Sequence, residues 1–343
     1  MPLSTNSPSP DASRLISWVT RIATVLRRFP WVVPALSFAA GWGGFLMVRR
    51  GASFAQIIAS IALIGWVWLL IEPFVRRFLE RRQEGVGNFV ANFLTQSIEQ
   101  EMLFFCLPLI IGATQKDVGQ IAFTALAAIA ALLSTLDYVY ERYIATRAAT
   151  RLLFHAYCSL IAAIVVLPMV MRMPFERAFP LAIFGVSAWL LLTLPMSLKS
   201  LSSARHKSIW ILASLAAPLL LWILRSHVPA AGLVVTQGII TQTIDELTPG
   251  PAVTRLTSAQ LSQGVVAFVA IRAPRGVAQT VMFEWQHGTE SERIVAEIHG
   301  GNESGWRTFA RKQSFPENSR GKWTVDILSP QRQLLKRLSF EVE

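Results

Sequence analysis

The chain has 343 residues, 52% of them apolar and only 15% charged, with a mean hydropathy of +0.44. Soluble domains average roughly 25% charged residues, so this composition argues against an ordinary water-soluble protein and favours a bilayer as solvent. The net charge of +11 invites nucleic acid, but residues 1–229 hold 20 Lys/Arg against 10 Asp/Glu while residues 230–343 hold 12 against 11. The basicity therefore sits at the ends of apolar runs, where it orients a membrane protein, and nucleic-acid binding is not expected.

Residues 1–13 are polar and rich in Pro and Ser, the composition of a disordered tail. They lack the basic start of a signal peptide, so the first apolar run, near Trp31, is expected to remain as an anchor. Between them, Leu15, Ile16, Val19, Ile22, Ala23 and Leu26 form one helical stripe opposite Arg14, Arg21 and Arg28. That pattern fits an interfacial helix or a cytosolic extension of the first span.

Seven apolar stretches follow, at 31–48, 54–75, 89–113, 118–139, 152–171, 178–197 and 208–224. Each is near the length that a hydrocarbon core of ~30 Å needs at ~1.5 Å per residue. The third is interrupted by Gln96, Glu99, Gln100 and Glu101. Loops on the N-terminal side carry 14 Lys/Arg and those on the other side six. The positive-inside rule then puts the N-terminus in the cytoplasm of a bacterial inner membrane, and an odd span count puts the C-terminus in the periplasm.

From about Val228 the period changes to two. Runs at Val265–Ile271, Gln279–His287, Arg293–Ile298, Trp306–Arg311, Lys322–Leu328 and Leu334–Val342 alternate apolar and polar residues, and an earlier strand is expected within 233–244. The expected architecture is a disordered tail (1–13), an α-helical transmembrane bundle of about seven spans (14–227) and an all-β domain (228–343). The last has the size and strand count of an immunoglobulin-like sandwich.

The run HGGNESGWRTFARK…GKWTVDILSPQRQLLKRLSFEV (His299–Val342) resembles an uncharacterised bacterial module, and TQSIEQEMLFFCLPLIIGAT (Thr95–Thr114) resembles the multispan membrane family that carries it. The resemblance implies the architecture and no activity. Two departures stand out: a Phe-Ala pair follows Arg307-Thr308, and Gln331-Arg332-Gln333 replaces a Gly-containing turn.

Charged groups at bilayer depth are costly and usually face a protein interior or water. Gln96, Glu99 and Gln100 share one helical face, with Glu101 pointing roughly 200° from Glu99. Asp137 and His155 lie toward the same side of the membrane, as does Glu72. These residues are either a polar site for a cation, a proton or a lipid head group, or a set of ion pairs with Arg76, Arg142 or Arg151 that holds helices together. In the β domain, Trp306, Arg307 and Arg311 follow a glycine turn and are candidate surface contacts, whereas Trp285 and Trp323 occupy core positions.

Catalytic and phosphate-binding motifs are absent, the five histidines are dispersed, and Cys106 and Cys158 lie in apolar runs. No cofactor or metal is expected. The leading expectation is a non-enzymatic envelope protein that presents its β domain to a protein or glycan. The alternatives are a transporter or channel lined by the intramembrane carboxylates, or a subunit of a membrane enzyme acting on lipid-linked substrates.

Overall fold

The computed structural model describes residues 31–50, 52–80, 85–273, 277–302 and 304–343; the expected tail and the stripe over 14–29 lie outside them. Among the described residues the apolar stretches form seven long helices: α1 (Val32–Arg50), α2 (Ala52–Glu80), α3 (Gly85–Ala113), α4 (Val118–Thr135), α5 (Ala148–Val170), α6 (Phe175–Lys199) and α7 (Ala204–Ile223). Five segments, Ala91–Ala113, Val118–Thr135, Ala148–Val170, Phe175–Lys199 and Ala204–His227, are long and apolar enough to cross a membrane. Their outward faces carry bulky apolar side chains: Phe184, Leu192 and Leu212 are 75%, 68% and 69% exposed. Such surface is stable against lipid and costly against water.

Helix α5 is the centre of the bundle. It packs on α2, α3 and α6, and every residue from Leu160 to Pro168 is buried. Helix α1 lies directly on α3, where a Cβ at Gly41 would stand 2.7 Å from Phe104 Cβ; only glycine permits that approach.

The fourth apolar stretch, read from sequence as one span over 118–139, breaks at Leu136. Ser134 and Thr135 turn their hydroxyls back onto the carbonyls of Ala131 and Leu132, which competes with further helix. The chain resumes as a turn at Asp137–Val139 and a six-residue π-helix, Tyr140–Ala145. Arg147 is extended, and α5 starts after it.

The β region contains β1 (Val234–Thr241), the short strands β2 (Ile244–Asp245), β3 (Thr248–Pro249) and β4 (Arg255–Leu256), a helical turn at Ser258–Leu261, and the longer strands β5 (Val265–Arg272), β6 (Ala278–His287), β7 (Glu290–His299), β8 (Trp306–Lys312), β9 (Gly321–Leu328) and β10 (Leu334–Val342). They make a three-stranded sheet in the order β1-β5-β8, a five-stranded sheet in the order β4-β10-β9-β6-β7, and a β2–β3 pair. Apart from the parallel β4–β10 pairing, neighbours are antiparallel. Val281, Phe283 and Trp285 on β6 and Trp323, Val325 and Ile327 on β9 are buried, as is Phe340 of β10. Trp323 stacks on Phe340, which meets Trp285 edge-on.

The β region seats on the ends of the helices. The Gln120 side chain at the start of α4 donates to Leu334 O at 3.0 Å. From the β9–β10 turn, Gln331 donates to Glu176 O at 2.9 Å and Gln333 to Arg225 O at 3.3 Å. Three helix termini are thereby joined to one end of the sheets.

Candidate functional site in the helical bundle

The polar interruption of α3 resolves into three separate roles. Gln96 and Gln100 serve the break in α4: both side-chain amides donate to Ser134 O, one of the carbonyls that the end of α4 leaves without a helical partner. Gln96 also donates to Asp137 Oδ1 at 2.8 Å, and Asp137 is exposed. Glu101 is exposed on the opposite side of α3. Glu99 alone of the four enters a buried charged chain.

That chain runs Arg76–Glu72–His155–Glu99–Tyr140 across α2, α5, α3 and the π-helix. Arg76, one turn beyond Glu72, donates from Nε to Glu72 Oε1 at 2.6 Å. The other Glu72 oxygen stands 3.2 Å from His155 Nε2. His155 Nδ1 lies 2.5 Å from Glu99 Oε1, and neither of these two atoms makes an aligned hydrogen bond. Tyr140 donates its hydroxyl to Glu99 Oε2 at 2.7 Å. Glu72, Glu99 and His155 are wholly buried, with Tyr140 at 2% and Arg76 at 4% exposure.

Each residue arrives for a local reason. On α5 the buried positions Ala149, Leu152, His155 and Ala156 repeat at helical spacing. The wider turn of the π-helix coincides with the inward turn of Tyr140, which packs edge-on against Phe154. Half-buried Arg151 donates from Nη1 to Ala145 O. Arg142 instead bonds Tyr138 and lies over its ring, so the ion pairing with Arg142 weighed from sequence does not form. Hydropathy and helical periodicity point to Glu72, Arg76, Glu99 and His155 but not to Tyr140.

The chain sits toward the end of the bundle away from the β region. At ~1.5 Å per residue, Glu72 is about 12 Å from the end of α2 and His155 about 10 Å from the start of α5. Toward the β region, α3 and α5 continue with buried Leu103, Cys106, Ile110, Ile161, Ile164 and Val165. Two carboxylates, a guanidinium and an imidazole thus share one water-poor space, where each would be costly alone and where mutual pairing offsets desolvation.

The β-region candidates are not one patch. Trp306 is 39% exposed and meets His299 edge-on at 4.8 Å, but alternation puts it on the side of Ala310 and Lys312. Arg307 and Arg311 project from the other side of β8, with exposed Phe309 between them. Phe309 belongs to the Phe-Ala departure noted in the sequence. Among the described residues no group of three or more His, Cys, Asp or Glu side chains is arranged to hold a metal; Cys106 and Cys158 are free thiols.

Residues 12–267 match a family of unknown function, DUF5924, and residues 278–342 match a second family described as a protein of unknown function, DUF2914. The first match covers more than half of the chain, which therefore belongs to the DUF5924 family. Comparison with curated proteins finds no match.

Proposed function

We propose that this member of the DUF5924 family is a seven-span protein of the bacterial inner membrane, its N-terminus cytoplasmic, that holds an immunoglobulin-like sandwich in a fixed pose in the periplasm for a protein or glycan partner. The observation that carries this reading is the docking itself. Glutamines 120, 331 and 333 bind the β region to three helix ends, so the domain has a set orientation rather than a free tether. The surface offered to a partner is the basic-aromatic row Arg307, Phe309 and Arg311. The 14-to-six distribution of loop Lys/Arg supports the orientation.

Reporter fusions at the C-terminus test topology; activity of a cytoplasmic reporter there would overturn it. For the interaction, full-length chain in nanodiscs is probed on a periplasmic glycan array and by photo-crosslinking from position 309. Signal lost in Arg307→Ala/Arg311→Ala supports the reading, and absence of any signal in the parent overturns it. The Glu72–His155–Glu99 chain favours a second reading, coupled transport. The apolar layer between that chain and the β region weighs against an open path, and solute flux in proteoliposomes that Glu99→Gln abolishes would reverse the preference.

A further inference from the structure

We infer that Glu72, His155 and Glu99 form a binding site for a single proton, reached from the end of the bundle remote from the β region. Charge balance gives the first argument. Arg76 supplies one positive charge within the hydrogen-bonded chain, and Glu72 and Glu99 supply two negative ones. With a neutral imidazole the hydrogen-bonded chain carries one net negative charge, offset in part by half-buried Arg151, which acts on Glu72 from outside it, and one ring nitrogen turns a lone pair toward a carboxylate. One added proton, shared between imidazole and carboxylates, removes both.

Geometry gives the second. The imidazole lies between the two carboxylates, 3.2 Å from Glu72 and 2.5 Å from Glu99. A metal bound at roughly 2.0–2.2 Å to both an imidazole nitrogen and a carboxylate oxygen would hold those atoms further apart than 2.5 Å. Only hydrogen fits. His155 Nδ1 and Glu99 Oε1 have no other hydrogen-bond partner among the described residues.

The surroundings fix the direction of access. The groups facing the site are Arg76 from α2, Tyr140 from the π-helix, and Arg151 and Cys158 from α5. Arg151 also acts electrostatically on Glu72, from a half-buried position bonded to Ala145 O at the loop end. Toward the β region, beyond buried Cys158 and Ser159 of α5, α3 and α5 present the apolar layer at Leu103, Ile161 and Ile164. The proton therefore enters and leaves past Arg76 and Arg151, and the site reports the proton activity of that compartment. It does not by itself connect the two sides.

The test counts protons. Full-length chain in nanodiscs is taken through a pH decrease over the range in which it stays folded, with uptake read by a membrane-impermeant indicator dye. Glu99→Gln keeps the side-chain volume and the Tyr140 contact while making the chain neutral without an added proton. It is expected to take up about one proton fewer per molecule than the parent. Equal counts in a folded Glu99→Gln would overturn the proposal and leave the groups as a fixed ion-pair lock. Should that variant not fold, infrared difference spectra of the parent with isotope-labelled histidine decide. Imidazole and carboxylate bands that change together support the site, and bands that stay constant while bulk pH changes overturn it.

Discussion

Tyr140 owes its contact with Glu99 to six π-helical residues, and that is why hydropathy and helical periodicity did not reveal it. The shared face of Gln96, Glu99 and Gln100 was legible, because α3 keeps its period through the interruption. The destination of that face was not, because it depends on where α4 stops. The signal for the stop was present in Ser134-Thr135 ahead of Asp137, whose hydroxyls close the helix. Tyr140→Phe removes a buried donor to a carboxylate, an interaction worth roughly 1.5–3 kcal/mol. Its thermal unfolding temperature, followed by circular dichroism in detergent, is expected to fall by several degrees with helix content unchanged. Glu101→Gln, on the exposed side of the same helix, should change stability by no more than about 0.5 kcal/mol. Equal effects of the two would contradict the assignment of Glu99 rather than Glu101 to the buried chain.

At the level of elements, the start of α4 joins three functions in one turn. Asp117 caps the helix by accepting from Gln120 N at 2.9 Å, faces His227 Nδ1 at 3.3 Å, and so fixes Gln120, whose side chain reaches Leu334. Burial works to raise the Asp117 pKa, but the Gln120 N–H and His227 outweigh it and hold the carboxyl below its usual 3.8. A depressed carboxyl pKa stabilises the folded form above the unfolded value, and the contribution is lost as pH falls through the folded value. The seat is therefore expected to hold at neutral pH and weaken below about pH 4. Asp117→Ala should lose about 1 kcal/mol from the cap at neutral pH and flatten the acid limb of a stability–pH curve read by domain–bundle crosslinking.

The five-stranded sheet has its own charge row, Arg293–Glu284–Asp326–Arg337, set by direct cross-strand register. Two nearly buried carboxylates lie side by side there, which would repel without the flanking guanidiniums. Arg337 clasps Asp326 through two hydrogen bonds of 2.6 Å, and that bonding raises the Arg337 pKa above its usual value. Arg337→Ala leaves Asp326 beside Glu284 with its counter-ion gone. Because the arginine is half-exposed, the expected loss is about 1–3 kcal/mol rather than the full value of a buried pair, measured by denaturant unfolding with tryptophan fluorescence. Adding Asp326→Asn to that variant should restore part of it. The neighbouring Gln331-Arg332-Gln333 turn carries structure of its own. Its glutamines bind helix carbonyls, and Arg332 takes the left-handed φ of 65° that a glycine would adopt freely.

Across the whole molecule, period-two alternation was enough to locate the long strands. It could not show their partners, since pairing depends on contacts far apart in sequence. The two matched families meet between residues 267 and 278, inside the β region rather than at its junction with the helices. Strand β1 and the first residues of β5 fall in one match and β6 to β10 in the other, yet β8 hydrogen-bonds only to β5 within its sheet. The two segments are thus interlocked. Every residue from Val265 to Ile271 is at most 2% exposed, and fully burying a Val, Ile or Phe side chain stabilises by roughly 1.5–3 kcal/mol. Loss of β5 therefore removes more than a small domain's usual margin of about 5–15 kcal/mol can absorb. A fragment of residues 278–343 is expected to give no cooperative unfolding transition, whereas residues 230–343, which retain β1 and β5, should unfold in one step reported by Trp285 and Trp323. A cooperative transition in the shorter fragment would show that the five-stranded sheet is an independent unit, and that β1 and β5 only cover it.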